Sequence, residues 1–324
     1  MRPSIHLHQL LQIRLRIQAV FVIFILFGSI VMAQKKVAIT IDDLPNTYKF
    51  KADHFEPILL NKLDSLDIPV TVFFNEGKLV KTDAQSENFA LLSDWCEHPN
   101  VTLGNHTRDH VRYSEVGLEK FKENLEAGET TTKSFAKRFG KPLTYFRFPY
   151  NDLGADSIQR AQVELYLEKR NYVIAPFTIE SSDWMFNKVY EYHLKNGEKE
   201  KAQKVGEDYV EATLKLFEFF NDLAVKQYER EVNQIYLCHD NSINADYLDV
   251  LVDSLTKRDY SIISMEDAMK DEIYQQENVY NFKWGVSWFY RWMDNSRDRF
   301  KIMMAEPELK DIKKEYDRLF SSEK

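Results

Sequence analysis

The chain has 324 residues, and its 43 basic and 51 acidic side chains give a net charge of −8 at pH 7. This acidity argues against nucleic acid and other polyanions as partners, and the length allows one large hydrophobic core or two smaller ones. Two cysteines, Cys96 and Cys238, are too few for a disulfide scaffold. Because Cys238 lies inside an apolar run, we predict buried free thiols.

The first 33 residues have the features of a signal peptide. Three arginines without any acidic residue precede an apolar run over residues 19–27, and the small residues Val31 and Ala33 stand where signal peptidase requires them. The apolar part is too short to span a bilayer, which takes roughly 20 residues. We predict cleavage after Ala33 and a periplasmic or secreted protein without stable membrane anchoring. The loss of three arginines would change the net charge from −8 to −11.

Short apolar runs alternate with segments at helical spacing from residue 36 onward. The runs are apolar on both faces and rich in β-branched residues, as strands of a parallel sheet are. Strands are predicted at 37–41, 69–74, 101–103, 144–146, 172–175, 234–238 and 260–263, and helices at 57–66, 86–96, 115–139, 156–169 and 245–257. This alternation predicts an α/β fold with a parallel sheet and right-handed crossovers. It is compatible with an open doubly wound sheet and with a (β/α) barrel.

Two segments interrupt the alternation. Residues 185–232 are highly charged and helical, and they are longer than one crossover needs. Residues 272–324 contain a cluster of aromatic residues followed by a charged helix. We predict that these rings cover one end of the main domain. The alternative is a surface on which sugar rings stack, because pyranose faces pack well on aromatic rings.

Polar residues follow five of the predicted strands. The carboxyl ends of parallel strands meet at one edge of a sheet, where catalytic groups of α/β folds collect. The five groups are Asp42-Asp43, residues 105–110, residues 147–150, residues 180–184 and His239-Asp240.

His106 and His110 are four residues apart, a spacing that places two imidazoles on one face of a helical turn. With one carboxylate they offer three facial nitrogen and oxygen ligands for a metal, with positions left open. Asp42-Asp43 can supply that ligand and a second carboxylate that takes a proton from water. His239 is then a candidate acid for the leaving amine or alcohol. For the histidine pair alone, the alternative is an ordinary surface turn.

The five groups resemble, in the same chain order, the motifs of the polysaccharide deacetylases, the NodB-like carbohydrate esterases of family four. The family motifs T-F-D-D, H-[ST]-x-x-H, R-x-P-[YF], D-x-x-D-W and L-x-H correspond to residues 40–43, 106–110, 147–150, 180–184 and 237–239. The resemblance spans about residues 36–265, and it implies a distorted (β/α) barrel of seven to eight strands. It divides the chain into a signal peptide (1–33), a catalytic domain (34–271) with the helical insertion (185–232), and a helical, aromatic-rich C-terminal extension (272–324).

The resemblance also implies a metal centre and a base. Asp43, His106 and His110 would hold one divalent ion, with zinc as the first choice and cobalt, manganese or nickel as alternatives. Asp42 would be the general base. Arg147 would orient Asp42 and keep its carboxylate ionised.

The remaining matched residues would act on the substrate. His239 would be the general acid, and Asp183 would favour its imidazolium form. The backbone N–H of Tyr150 would stabilise the oxyanion. Trp184 and Leu237 would form the apolar pocket for the acetyl methyl group.

Two residues depart from the family motifs. Ile41 replaces a phenylalanine, which exchanges one apolar side chain for another. Glu180 replaces the first aspartate of the fourth motif, so the role of that position is not carried over.

We therefore predict hydrolysis of acetyl groups, N- or O-linked, from an acetylated glycan. Peptidoglycan, chitin-like oligomers, acetylated xylan and exopolysaccharide are all open as substrates. One alternative is a facial-triad iron oxygenase, which the alternation of strands and helices argues against. The other is a catalytically inactive carbohydrate-binding protein on the same fold, which the presence of both the base and the metal ligands argues against.

Overall fold

The structure is a computed structural model that describes residues 34–321. The predicted signal peptide over residues 1–33 therefore lies outside the described residues. Within the described part, no helix is both long and apolar enough to cross a bilayer. Cys96 and Cys238 are buried and unpaired, which confirms the prediction of free thiols.

Eight parallel strands form one sheet in the described part of the chain. They are β1 (Lys35–Leu44), β2 (Val70–Phe74), β3 (Val101–Asn105), β4 (Leu143–Phe146), β5 (Val173–Ile174), β6 (Ile179–Glu180), β7 (Asn233–His239) and β8 (Tyr260–Ile262). The order across the sheet is β5-β4-β3-β2-β1-β7-β6, and β8 pairs with the first residues of β1. The sheet curls into a half-barrel with β5 and β6 at its edges, which confirms the predicted distorted (β/α) barrel.

Helices connect the strands and cover the sheet. They are α1 (Thr47–Ala52), α2 (Ile58–Leu66), α3 (Gln85–Glu97), α4 (Tyr113–Ala127), α5 (Thr130–Arg138), α6 (Ser157–Lys169), α7 (Asp183–Lys195), α8 (Lys199–Tyr228), α9 (Ser242–Thr256), α10 (Met265–Ala268), α11 (Trp288–Arg291), α12 (Ser296–Met303) and α13 (Lys310–Phe320). Short 3-10 helices lie at Glu76–Val80, Pro149–Asn151 and Glu272–Gln275.

Two predicted elements differ from the structure. The single helix predicted over residues 115–139 is wrong: it is divided into α4 and α5 at Gly128. A β-carbon at Gly128 would lie 2.4 Å from the backbone nitrogen of Arg108, so the break lets the chain pass close to the loop after β3. Strand β6 was not predicted, because two residues are too few to show a period.

The register of the central strands determines which side chains meet at the carboxyl edge of the sheet. Strand β1 pairs with β7 from Lys36 to Asp42, and the last pair joins Asp42 to His239. Residues Val37 to Ile41 are almost completely buried, as is typical of a parallel strand with both faces covered. Two polar residues predicted to be catalytic, Asp42 and His239, are therefore paired near the carboxyl ends of neighbouring strands.

The predicted insertion and the C-terminal extension are both helical. The insertion is formed by α7 and α8, and α13 of the extension packs on α7. Buried His193 joins them, because its two ring nitrogens lie 2.5 Å from Glu198 Oε2 and 3.0 Å from Glu315 Oε1. In the extension, Phe289 and Tyr290 are buried in the core, whereas Phe282 and Trp284 are exposed.

Candidate active site

A cavity of about 710 Å³ opens at the carboxyl edge of the sheet. Eight of the ten side chains predicted to form the site line it: Asp42, Asp43, His106, His110, Tyr150, Trp184, Leu237 and His239. The other two, Arg147 and Asp183, are buried behind the wall and contact residues that line it.

Asp43, His106 and His110 converge on one point of this cavity. Asp43 Oδ1 lies 3.8 Å from His106 Nε2 and 3.5 Å from His110 Nε2. The candidate ligand atoms of the three residues all lie within 4.8 Å of one another. Asp43 Oδ1 is buried and has no hydrogen-bond partner among the described residues, and a cation shared by the three side chains would satisfy it. This donor set fits a divalent metal ion such as zinc.

The orientation of His106 is determined by a backbone carbonyl. His106 Nδ1 lies 2.7 Å from Arg147 O. A carbonyl can only accept, so Nδ1 carries the hydrogen and Nε2 presents its lone pair to Asp43. This is the arrangement that a metal-binding histidine requires.

The protonation states of the three side chains also suit a cation. Burial lowers the pKa of His110, and burial together with His110 lowers that of His106 far below its ordinary value, so both rings are neutral. Burial alone would raise the pKa of Asp43, but the positive charge of the neighbouring Lys78 is the largest influence that lowers it below its ordinary value. Neutral imidazoles and an ionised carboxylate are the forms that bind metals.

The loop that carries the histidines is not the predicted helical turn. Residues 106–112 form an irregular loop, and Thr107 and His110 have φ angles of 63° and 55°. The prediction from helical spacing is therefore wrong in its geometry, although the two rings do meet, with centroids 4.9 Å apart. The two side chains are thus brought together by the bent backbone of the loop and not by a helical turn.

Neighbouring residues that were not predicted hold this loop in place. Asn75 Nδ2 donates to His106 O at 2.6 Å and to Thr107 O at 3.1 Å. A β-carbon at Gly77 would lie 2.6 Å from Arg108 O, so glycine permits the close approach of the 3-10 helix after β2. The only feature of the sequence that could have indicated a role for Asn75 is its position directly after β2, at the carboxyl end of a strand.

Asp42 is the candidate base. Its side chain is buried, and Oδ1 has no hydrogen-bond partner among the described residues, so this oxygen is available to accept a proton. Burial raises the pKa of Asp42 to about 6, and Arg147 offsets only part of this effect. Arg147 Nη1 lies 3.7 Å from Asp42 Oδ2, a charge contact rather than a hydrogen bond. A pKa close to the working pH is what a general base needs.

Arg147 is itself anchored by two hydrogen bonds. Its Nη2 donates to Thr40 Oγ1 and to Pro176 O, both at 3.1 Å. The guanidinium is therefore fixed next to the carboxylate, and its side chain is almost completely buried.

His239 is the candidate acid, and it forms a tight pair with Asp183. His239 Nδ1 lies 2.6 Å from Asp183 Oδ1, and the backbone N–H of His239 donates to Asp183 Oδ2 at 2.8 Å. Burial alone would lower the pKa of His239, but the charge and hydrogen bond of Asp183 raise it to about 10. His239 is thus an imidazolium at neutral pH. Asn244 Nδ2, which was not predicted, donates to Asp183 Oδ2 at 2.6 Å and supports the pair.

The remaining wall of the cavity is largely apolar. Leu237 is buried in β7, and the ring of Trp184 stands edge-on to that of Tyr316 with 5.6 Å between centroids. Glu180, the departure from the family motif, also lines the cavity and accepts a hydrogen bond from the N–H of Ser182 at 2.6 Å. Burial and the nearby charge of Asp183 raise the pKa of Glu180 to about 7.

Residues 30–165 match the model of the polysaccharide deacetylase family. The matched segment is 136 of the 324 residues, less than half of the chain. The match includes the first three sequence motifs and confirms the resemblance read from them. No curated protein matches the chain.

Several solved structures are similar to this chain. A family 4 carbohydrate esterase pseudoenzyme from Bacillus anthracis is 14% identical, with 73% of this chain and 66% of that chain covered and a TM-score of 0.49. A polysaccharide deacetylase from Bacillus cereus is 17% identical, with coverages of 71% and 92% and a TM-score of 0.47. A family 4 carbohydrate esterase from Streptomyces lividans is 18% identical, with coverages of 72% and 95% and a TM-score of 0.46. At such low identities and scores, these similarities assign no function to the chain.

The pairing of Asp183 with His239 predicts a measurable proton affinity. In Asp183→Asn the charge that stabilises the imidazolium is lost, so the pKa of His239 should fall from about 10 to below 7. NMR titration of the His239 ring measures it. Asp240→Asn, which alters a carboxylate of the same cavity that does not bond His239, should leave this pKa near 10. Equal pKa values in the two variants would contradict the assignment.

Proposed function

We propose that the chain is an exported, metal-dependent hydrolase that removes acetyl groups from a glycan. The observation that carries this proposal is the position of Asp42 between two different partners. On one side lies the candidate metal centre with Asp43, and on the other the strand pairing places His239 directly opposite Asp42. A base, a Lewis acid site and an acid thus surround one cavity.

We propose that Asp43, His106 and His110 hold zinc, because two imidazole nitrogens and one carboxylate oxygen form a common set of ligands in zinc hydrolases. Cobalt, manganese and nickel also accept such ligands. When bound, the ion would polarise the acetyl carbonyl and lower the pKa of water.

The protein side chains would then move the protons. Asp42 Oδ1, which has no partner among the described residues, would accept the proton of the attacking water. The backbone N–H of Tyr150 would stabilise the oxyanion. His239, held as an imidazolium by Asp183, would protonate the leaving nitrogen or oxygen of the sugar.

The acyl group would be acetyl because the pocket for it is small. Trp184 and Leu237 both line the cavity, and Leu237 lies on the strand that ends at His239. A methyl group fits between such side chains, whereas each added methylene would displace them or move the carbonyl.

Export rests on the sequence of residues 1–33, with its positive segment, apolar run and small residues before Gln34. We propose a periplasmic or secreted location, where acetylated glycans of a cell envelope or of the surroundings are accessible.

The metal centre is tested by His106→Ala. Removal of one of three ligands should abolish stoichiometric zinc binding, measured by elemental analysis after dialysis and by calorimetric titration. His54→Asn, which changes an exposed histidine outside the site, should bind one zinc as the unmodified protein does. Zinc affinity of His106→Ala equal to that of the control would show that the site is elsewhere.

The acyl pocket is tested by chain-length preference. Overpacking costs about 1–3 kcal/mol, so acetyl esters of one sugar should react about 10- to 100-fold faster than butyryl esters. Leu237→Ala should narrow this ratio. Leu248→Ala, which truncates a buried leucine of α9 that does not line the cavity, should lower stability and leave the ratio unchanged. Equal acetyl and butyryl rates in the unmodified protein would contradict a deacetylase.

A further inference from the structure

The rim of the cavity carries an unusual number of exposed aromatic side chains. Tyr48, Tyr150, Trp184 and Trp284 all line it, and their exposed fractions range from 46% to 64%. Isolated exposed rings are common on proteins. Four that border one concave site form an apolar surface at a position where a ligand enters.

Trp284 belongs to the C-terminal extension, outside the residues that match the family model. Its side chain is 60% exposed, and Lys283 Nζ lies 5.2 Å from the centroid of its ring. The neighbouring residues Phe289 and Tyr290 are buried in the core. The extension therefore both covers the main domain and presents one large ring to the cavity.

The backbone that carries Trp284 is fixed to the loop of the third motif. Arg291 Nη2 donates to Trp284 O at 3.1 Å and to Asn151 O at 2.7 Å, and the arginine is completely buried. A β-carbon at Gly285 would lie 2.3 Å from Tyr150 O, so the two segments touch backbone to backbone. The backbone that carries Trp284 and Tyr150 is therefore held in place before any ligand binds, which lowers the entropic cost of binding.

The ring of Tyr150 continues this surface toward the candidate metal centre. It packs on His110 with 4.5 Å between the two ring centroids. The guanidinium of Arg112 lies 4.0 Å from the centroid of the Tyr150 ring. Trp284 and Tyr150 line the same cavity, and the ring of Tyr150 contacts the candidate ligand His110. A cavity of about 710 Å³ lies in the range that holds ligands larger than one acetyl group, about 300–1,000 Å³.

We propose that Trp284 and Tyr150 form a sugar-binding subsite that holds the pyranose ring next to the acetylated sugar. The inference rests on the proposed function, and it narrows the substrate to an oligosaccharide or polysaccharide rather than a monosaccharide. The C–H face of a pyranose is apolar and stacks on an indole ring, while its hydroxyl groups remain in water at the open rim. The C-terminal extension is thereby part of the substrate site.

The test compares Trp284→Ala with Phe282→Ala. Phe282 is 54% exposed in the same extension but packs on Tyr280 and does not line the cavity. Calorimetry with N-acetylchitotetraose, tetra-acetylated xylotetraose and a peptidoglycan tetrasaccharide measures binding, and acetate release measures KM. For at least one of these probes, Trp284→Ala should raise both Kd and KM about 10-fold, the scale of one lost stacked ring. Trp284→Tyr should restore most of the loss.

A small ester, 4-methylumbelliferyl acetate, is the internal control because it contains no sugar and cannot occupy the subsite. Trp284→Ala and Phe282→Ala should both hydrolyse it within about 2-fold of the unmodified protein, an energy difference below 0.5 kcal/mol by the relation of about 1.4 kcal/mol per tenfold. Trp284-dependent binding without any acetate release would refute the proposed function and still support the subsite. The subsite is wrong if Trp284→Ala binds the tetrasaccharides like Phe282→Ala, if it slows the small ester equally, or if the unmodified protein binds no tetrasaccharide.

Discussion

Arg147 links the candidate metal centre to the candidate base, and the rest of the site depends on this link. Its carbonyl accepts the hydrogen bond from His106 Nδ1, so a backbone atom at the end of β4 selects the tautomer that turns Nε2 toward Asp43. Its guanidinium is held by Thr40 and Pro176 at 3.7 Å from Asp42. Any movement of β4 relative to β1 would disturb a ligand and the base together. The close packing of the buried residues of β1, from Val37 to Ile41, opposes such movement.

Burial favours the neutral form of both candidate proton carriers, but it determines the final pKa only for Asp42. For Asp42 the loss of water outweighs the attraction of Arg147, and the pKa rises to about 6. For His239 the attraction of Asp183 outweighs the loss of water, and the pKa rises to about 10. At neutral pH the first group is mostly free to accept a proton and the second carries one to donate. Neighbouring strands therefore present a candidate base and a candidate acid whose environments, rather than their chemical types alone, determine what they can do.

The sequence predicted the strands because apolar β-branched runs are unambiguous in a parallel sheet, and it predicted the cavity residues because polar groups follow those runs. It could not predict the loop of His106 and His110, since its φ angles depend on contacts with Asn75 and on the close approach of Gly128. The helix break at Gly128 has the same origin. The position of Trp284 on the rim could not be predicted from the sequence either, because it depends on backbone contacts between segments more than 130 residues apart.

The central claim is that Asp42 accepts the proton of a water molecule while Asp43 binds the metal, and Asp42→Asn separates these two roles. Asparagine keeps the size of the side chain and leaves Asp43, His106 and His110 in place, but it cannot accept the proton. Zinc content and acetate release should be measured on the same preparation of the variant. We expect one zinc per chain, as in the unmodified protein, and a rate lower by roughly 10²-fold or more. Near-normal turnover by a zinc-loaded Asp42→Asn protein would contradict this account.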